Sequence, residues 1–123
     1  MFEKTKAFSG FAVDDIDAAR RFYGDTLGLK VTQEDNGILT LHIEGGAETI
    51  IYPKPDHVPA GFTILNFPVA DIESAVQELS SRGVELIRYD GMGQDERGIM
   101  RAGGPLIGWF NDPAGNILAV LQT

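Results

Sequence analysis

The sequence Phe11-Ala-Val13-Asp-Asp15-Ile16 recurs as Phe67-Pro-Val69-Ala-Asp71-Ile72, at a constant offset of 56 residues from Phe11 to Phe67. After each copy comes an apolar pattern with helical spacing, and after each pattern a glycine, Gly28 in the first copy and Gly83 in the second. A strand end, a helix and a terminating glycine that recur in the same order are typical of a duplicated structural unit. The chain is therefore predicted to contain two copies of one module.

Each copy of the repeat predicts a short strand followed by a capped helix. The strands are expected to end at Val13 and Val69, and the carboxylates of Asp15 and Asp71 to accept hydrogen bonds from the first helical turn. Apolar residues then recur at helical spacing and form one stripe per helix. The stripes are Ile16, Ala19, Tyr23 and Leu27 in the first helix and Ile72, Ala75, Val76 and Leu79 in the second.

Strand patterns follow each helix, so both modules are predicted to be βαβββ units. The expected strands are Lys30–Gln33, Ile38–Glu44, Glu48–Tyr52, Val84–Tyr89, Leu106–Phe110 and Asn116–Leu121. The fold class is α+β: two tandem modules form curled mixed sheets around a concave cavity, with the helices on the outer face. We expect one domain over residues 1–123, with module one at about 1–56 and module two at about 61–123.

One segment breaks the symmetry between the two halves. The glycine-rich stretch Asp90–Gly104 has no counterpart in module one. Loops of this length inside a compact domain are uncommon and often functional. The stretch is either a mobile surface crossing or a lid over a binding site, and the sequence leaves both interpretations open.

The composition limits the classes of partner. The formal net charge of −8 repels phosphate backbones and anionic lipids, so neither nucleic acid nor a membrane is an expected partner. The absence of cysteine excludes disulfides and thiolate chemistry. The first eight residues lack the apolar core of a signal peptide, and a cytoplasmic location is expected.

Three motifs together resemble those of one family. These are Val13-Asp-Asp15-Ile16 before the first helix, Phe22-Tyr23 followed by Leu27-Gly28-Leu29 at its end, and the closing Phe110-Asn-Asp112-Pro-Ala-Gly115-Asn. With the two-module layout, they resemble the vicinal-oxygen-chelate superfamily over essentially the whole chain. That superfamily includes glyoxalase I, bleomycin-resistance proteins, fosfomycin-resistance enzymes and extradiol dioxygenases.

The resemblance also implies where a metal would bind. Enzymes of the family hold a divalent metal with His, Glu or Gln side chains from matching strands. The corresponding positions in this chain are Phe8, Ile64, Ala119 and a residue at or near Ile51. These apolar side chains offer no lone pair to a cation, so neither a metal nor another cofactor is expected.

Candidate ligand-binding residues come from strand alternation, which leaves one set of side chains on the helix-free face of each sheet. His42 is the histidine expected on that face, although a histidine on a strand surface is more often solvated or hydrogen-bonded. Of Trp109 and Phe110, one should face the cavity and the other the core. Arg97 could bind a charged ligand or only keep its loop solvated. The predicted ligand-binding set is His42, Asn66, Trp109, Tyr52, Met100 and Arg97.

The leading functional hypothesis is a metal-independent small-molecule-binding protein of the glyoxalase/bleomycin-resistance type, for a drug or a hydrophobic metabolite. The alternative is a glyoxalase-like lyase or another enzyme of the superfamily, with His42, Glu44 or loop carboxylates as acid–base groups, or with an unconventional metal site. Whether the chain is an enzyme stays open at this point. A third possibility is a structural or regulatory subunit with a vestigial cavity. The resemblance further implies a homodimer.

Overall fold

The computed structural model describes all residues, Met1–Thr123, and they divide into two compact units, Met1–Val58 and Pro59–Thr123. Each unit contains one helical segment and one mixed sheet, and neither sheet is closed. The expected α+β class and its tandem arrangement are confirmed. No helix in this structure has the length and apolar character that crossing a bilayer requires.

The first unit contains a four-stranded sheet with the order β1-β4-β3-β2. β1 is parallel to β4, while β3 is antiparallel to both β2 and β4. A short α-helix, α1, leads directly into a π-helical segment, Arg21–Thr26. The elements are β1 (Ser9–Val13), α1 (Ile16–Arg20), β2 (Lys30–Gln33), β3 (Leu39–His42) and β4 (Thr49–Pro53).

The second unit repeats the plan with a three-stranded sheet in the order β5-β7-β6. β5 is parallel to β7, as β1 is to β4, and β6 is antiparallel to β7. The elements are β5 (Thr63–Val69), α2 (Ile72–Ser81), β6 (Ile107–Asn111) and β7 (Ile117–Gln122).

The helix caps form as predicted. The Asp15 carboxylate accepts a hydrogen bond from the Ala18 N–H at 3.1 Å, and Asp71 accepts from the first turn of α2. Gly28 and Gly83 take φ values of 74° and 84°, which lie in the left-handed region that glycine reaches without steric cost. The local signals at both ends of each helix therefore operate as expected.

Apolar side chains from the strands and helices pack together in the core. Phe11 packs against Tyr23 with ring centroids 5.7 Å apart, which places the β1 side chain under the first helical segment. Leu39 and Leu41 alternate into the same core and are fully buried, as is Ile72 at the start of α2. Burial of these large apolar side chains is the main source of stability.

The first helix differs from the prediction in its winding. After Arg20 the turn widens, and the Leu27 N–H donates to the Phe22 carbonyl five residues earlier, at 2.8 Å. Such π-helical turns occur mostly as single turns within α-helices. Tyr23 remains fully buried, so the predicted stripe is retained.

The predicted strand Val84–Tyr89 does not form, and this is the main correction to the expected topology. Only Ile87 bonds to β6 in strand fashion, through its N–H and the Trp109 carbonyl at 2.6 Å. The Gln94 side chain accepts from the Tyr89 N–H at 2.7 Å and donates to the Ile87 carbonyl at 2.8 Å. A side chain thus satisfies the backbone groups that a strand ladder would have used.

The middle of the Asp90–Gly104 segment is anchored within its own unit. The Asp95 carboxylate accepts hydrogen bonds at 2.9 Å from the N–H groups of Arg97 and Ile99 and from Nε of Arg101. Arg101 also pairs with Glu73 on α2. These contacts hold the middle of the segment against α2.

Asp95 makes the stability of this segment depend on pH. Partial burial raises the pKa of its carboxyl, but hydrogen bonds from Ile99, Arg101 and Arg97 together lower the pKa by more. The pKa of Asp95 is therefore below its usual value. A carboxylate whose pKa is lower in the folded than in the unfolded protein stabilises the fold. This contribution is fully present above the unfolded-state pKa of about 3.9 and is lost as the pH falls through the folded-state pKa. We expect Asp95→Asn to cost roughly 1–2 kcal/mol at pH 7, because an amide replaces the charged acceptor of three hydrogen bonds, and solvent screening keeps this loss modest.

Urea unfolding of Asp95→Asn and the unchanged protein between pH 7 and pH 3 measures this effect. The difference in unfolding free energy should shrink as the pH falls, because a protonated Asp95 loses the charge that the variant already lacks. Asp90→Asn, at an exposed position of the same segment, is the control and should change stability little. A difference for Asp95→Asn that stays constant down to pH 3 would contradict the assignment.

Candidate functional site

The helix-free face of the second unit brings together two of the predicted ligand-binding residues. The strand registers pair Ala119 on β7 with Asn66 on β5 and with Trp109 on β6. Residues paired in register project from the same face of a sheet, so these three side chains form one row across it. The row is named the Trp109 row below.

The same register decides which aromatic of β6 faces the core. Phe110 is 1% exposed and pairs with Leu118, which shares a face of β7 with Gln122. Because the Gln122 side chain accepts a hydrogen bond from the Ile72 N–H at the start of α2, this is the face that α2 covers. Trp109 is half-buried on the opposite face. Alternation predicts that the two residues separate, and the structure assigns the indole to the helix-free side.

Tyr89 flanks the Trp109 row and was missed by sequence reasoning. Its ring meets the Trp109 indole edge to face, with centroids 5.7 Å apart and an interplanar angle of 79°. The signal lay in the segment predicted as a strand, but its pairing partner could not be read from the sequence. Met100 reaches the outer edge of β6, where its N–H donates to the Ile107 carbonyl at 2.8 Å.

Two more of the predicted ligand-binding residues, Tyr52 and His42, lie on the helix-free face of the first unit. Tyr52 on β4 pairs with Ala12 and is 39% exposed. His42 ends β3 and is held on both ring nitrogens, with Glu48 Oε2 at 2.8 Å from Nδ1 and Thr32 Oγ1 at 2.8 Å from Nε2. His42 is therefore a hydrogen-bonded histidine rather than a freely solvated one.

Glu48 and Thr32 were not among the predicted site residues. Continuing the β3–β4 register one step beyond the pair Leu41 and Thr49 places Glu48 opposite His42. In the β2–β3 register, Lys30 lies directly opposite His42 and Thr32 is its diagonal neighbour on the same face. The hairpin registers were the missing information, because one residue of slip would move every one of these side chains to the other face.

Arg97 lies apart from these residues. Its guanidinium donates to Oε1 of Gln77 on α2, so it sits beside the helix rather than on the helix-free face of the sheet. Its role as a ligand-binding residue stays a prediction, as it does for the other five.

The residues at the family's metal positions do not fit a divalent metal. Ile51 and Ala119 are fully buried, whereas Phe8 is 65% exposed, and none of them has a donor atom. Ile64 is the extra residue of a β-bulge between Thr63 and Leu65, where the β5–β7 register shifts. No group of three or more His, Cys, Asp or Glu side chains is arranged to hold a metal ion.

An open concavity of about 460 Å³ lies in the first unit beside the π-helical segment. None of the six predicted ligand-binding residues lines it. Its walls are Arg20, Arg21, Gly24, Asp25, Leu29 and Val31.

Two mixed sheets, each with a helical segment on one side and polar or aromatic side chains on the other, define a duplicated-module protein of the class expected from the sequence. The model of the Glyoxalase/Bleomycin resistance protein/Dioxygenase superfamily matches residues 7–120, and the chain belongs to this superfamily. None of the curated proteins compared with the chain matches it.

Several solved structures share this fold. A putative glyoxalase family protein from Bacillus anthracis is 22% identical, with 100% of this chain and 99% of that chain covered and a TM-score of 0.72. TnmS3, an antibiotic binding protein from Streptomyces sp. CB03234, is 21% identical, with coverage of 94% and 92% and a TM-score of 0.70. A superfamily member from Sphaerobacter thermophilus DSM 20745 is 23% identical, with coverage of 94% and 94% and a TM-score of 0.70. At these identities the likeness shows the fold alone.

Proposed function

We propose that this chain is a metal-independent binding protein for a small, flat organic molecule. The observation that carries the proposal is the Trp109 row, in which an indole, a methyl group and an amide lie side by side on a helix-free sheet face. Aromatic walls with a few polar groups are the usual lining of small-molecule sites.

The dimensions of the row suit a fused or linked aromatic ligand. Asn66 and Trp109 are separated by two interstrand spacings, or roughly 10 Å. Ala119, which lies between them, carries only a methyl group and is itself fully buried. The indole offers a flat apolar surface to such a ligand, and its edge contact with Tyr89 restricts its orientation.

Asn66 supplies the polar end of the proposed site. Its side chain is exposed and has no hydrogen-bond partner within the chain, so both its carbonyl and its amino group remain available. A ligand with a donor or an acceptor at one end and an apolar ring at the other would match this pair. That TnmS3, a protein of the same fold, is described as antibiotic binding supports a ligand of this kind.

Ligand binding should be readable from intrinsic fluorescence, since Trp109 is the sole tryptophan. We expect a screen of planar aromatic compounds, neutral and cationic, to contain ligands that change its emission saturably. Asn66→Ala should weaken such a ligand by about 5- to 30-fold, as expected for the loss of one or two hydrogen bonds.

Gln33→Ala, at an exposed amide on the other unit, is the matched control and should leave the affinity unchanged. A screen in which no compound changes the emission or the melting temperature would contradict the binding function. Binding that Asn66→Ala leaves intact would remove the Trp109 row as its site.

Metal independence is tested on the same titration. Binding should be unaffected by EDTA, because no residue at the family's metal positions has a donor atom. Stoichiometric Zn, Ni, Mn or Fe in extensively washed protein would overturn this part of the proposal.

One observation favours the second candidate function, an enzyme of the superfamily. His42 carries a carboxylate on Nδ1, which is the arrangement that orients an imidazole as a general base. Lyase assays with and without added divalent metals test this alternative, and activity that His42→Gln abolishes would support it.

A homodimer, a cytoplasmic location and a single domain over residues 1–123 remain proposals that rest on the family resemblance and the composition. The same holds for the absence of nucleic-acid and membrane partners. Analytical ultracentrifugation across a concentration series tests the dimer, and a sedimenting species of 13.3 kDa at all concentrations would exclude it.

A further inference from the structure

We infer that Thr32, His42 and Glu48 form an acyl-accepting site in the first unit, with Thr32 Oγ1 as the nucleophile toward activated esters. The three side chains make one hydrogen-bonded chain, from Glu48 Oε2 to His42 Nδ1 and from His42 Nε2 to Thr32 Oγ1, with both distances 2.8 Å. This site shares no residue with the Trp109 row and does not depend on the proposed binding function.

The direction of each hydrogen bond follows from the donor chemistry. A carboxylate only accepts, so Nδ1 of His42 carries the ring proton and donates it to Glu48. Nε2 of the neutral imidazole is then an acceptor, and the Thr32 hydroxyl donates to it. A carboxylate on Nδ1 and a hydroxyl on Nε2 is the connectivity by which serine hydrolases on several unrelated folds activate their nucleophile.

The surroundings of Thr32 favour attack on a carbonyl group. Thr32 lies on β2, an edge strand of its sheet, and is half-buried rather than enclosed. Lys30 projects from the same face two residues earlier, directly opposite His42. Its ammonium has no ion-pair partner in the chain and can stabilise the negative charge that develops on a carbonyl oxygen beside Thr32.

The reaction balances without any further reagent than water. Thr32 Oγ1 forms a bond to the acyl carbon while its proton passes to His42 Nε2, and the ester C–O bond breaks as the alkoxide or phenolate leaves. The imidazolium, which faces Glu48, returns the proton to the leaving oxygen. Water then attacks the acyl-threonine with His42 as base, which releases the carboxylic acid and regenerates the hydroxyl.

Treatment of the full chain with p-nitrophenyl acetate tests the site. We expect a burst of one equivalent of p-nitrophenol and an acetyl group that peptide mass spectrometry places on Thr32. Thr32→Ser should retain the burst, and Thr32→Val should abolish it. His42→Gln should slow the acylation by about 100-fold or more, the range for loss of a general base.

Glu48 acts through His42 and is a positioning residue. Glu48→Gln should slow acylation by about 10- to 100-fold without weakening ester binding, and Glu48→Asp should restore part of the rate, which a purely structural role would not produce. Thr40→Val, directly opposite Thr32 on the same face, is the matched control and should acylate at the unchanged rate.

Three outcomes would overturn the inference. They are an acetyl group on Lys30 in place of Thr32, no burst from either the unchanged protein or Thr32→Ser, and a burst that His42→Gln leaves unaffected. If Thr32→Val fails to fold, the Thr32→Ser and His42→Gln results together test whether Thr32 is the nucleophile and His42 its base.

Discussion

Gly98→Ala is expected to cost roughly 2–4 kcal/mol of the free energy of unfolding, a large share of the 5–15 kcal/mol typical of a domain. Gly98 has a φ of +94°, which residues with a side chain adopt only at a cost of about 1–3 kcal/mol. A Cβ at this position would also lie 2.8 Å from Leu86 Cβ, closer than real Cβ atoms approach. Both penalties act at once, and neither can be relieved by rotating a side chain.

Substitutions at two further glycines serve as comparisons for Gly98→Ala. Gly61→Ala should be neutral or slightly stabilising, because nothing lies within 4 Å of the added methyl. Gly108→Ala also meets Leu86, but at Cδ1 and 2.5 Å. In a Leu86→Ala background Cδ1 is absent while Cβ remains, so the cost of Gly108→Ala should fall and that of Gly98→Ala should persist.

Urea unfolding of the four single variants and two double variants measures these free energies. The coupling energy between positions 86 and 108 should be clearly favourable, and that between 86 and 98 near zero. Equal coupling for both glycines, or a cost for Gly98→Ala no larger than for Gly61→Ala, would contradict the packing described around Leu86.

The second large effect is expected at Phe110, where truncation to alanine should cost about 3–5 kcal/mol. The ring is 1% exposed on the helix-covered face of the second sheet and leaves a cavity when removed. Trp109→Ala, one residue earlier, should cost only about 1–2 kcal/mol, because the indole is half-buried and loses mainly its contact with Tyr89.

Ligand binding should respond to substitutions at Trp109 and Phe110 in the opposite order from stability. Trp109→Ala removes the wall of the proposed site, so it should abolish binding of a ligand identified with the unchanged protein, as measured by isothermal titration calorimetry. Phe110→Leu, which keeps the core largely filled, should bind nearly normally. Loss of binding in Phe110→Leu at full folding, or its retention in Trp109→Ala, would place the ligand elsewhere.

The predictions that held were those with local causes. The caps at Asp15 and Asp71 and the left-handed glycines at positions 28 and 83 each depend on interactions within a few residues. Tyr23 and Ile72 in the predicted apolar stripes are likewise buried, because residues at helical spacing share a face. These signals recur in both halves, so the duplication can be recognised from the sequence alone.

The predictions that failed or stayed open depended on partners distant in sequence. Val84–Tyr89 has the pattern of a strand, but the Gln94 side chain takes the hydrogen bonds that a neighbouring strand would have made. The partners of His42 follow from two hairpin registers, which a single-residue slip would have changed.

By itself, the sequence determined that this protein has two related halves, each with a strand, a helix and further strands, a net negative charge and no donor atoms at the family's metal positions, because repeat, charge and residue type are properties of the chain. Only the tertiary structure decided that Trp109 and not Phe110 faces away from α2, and that Glu48 and Thr32 hold His42. Alternation fixes which residues separate but not which face is covered, since covering depends on how the helix packs on the sheet.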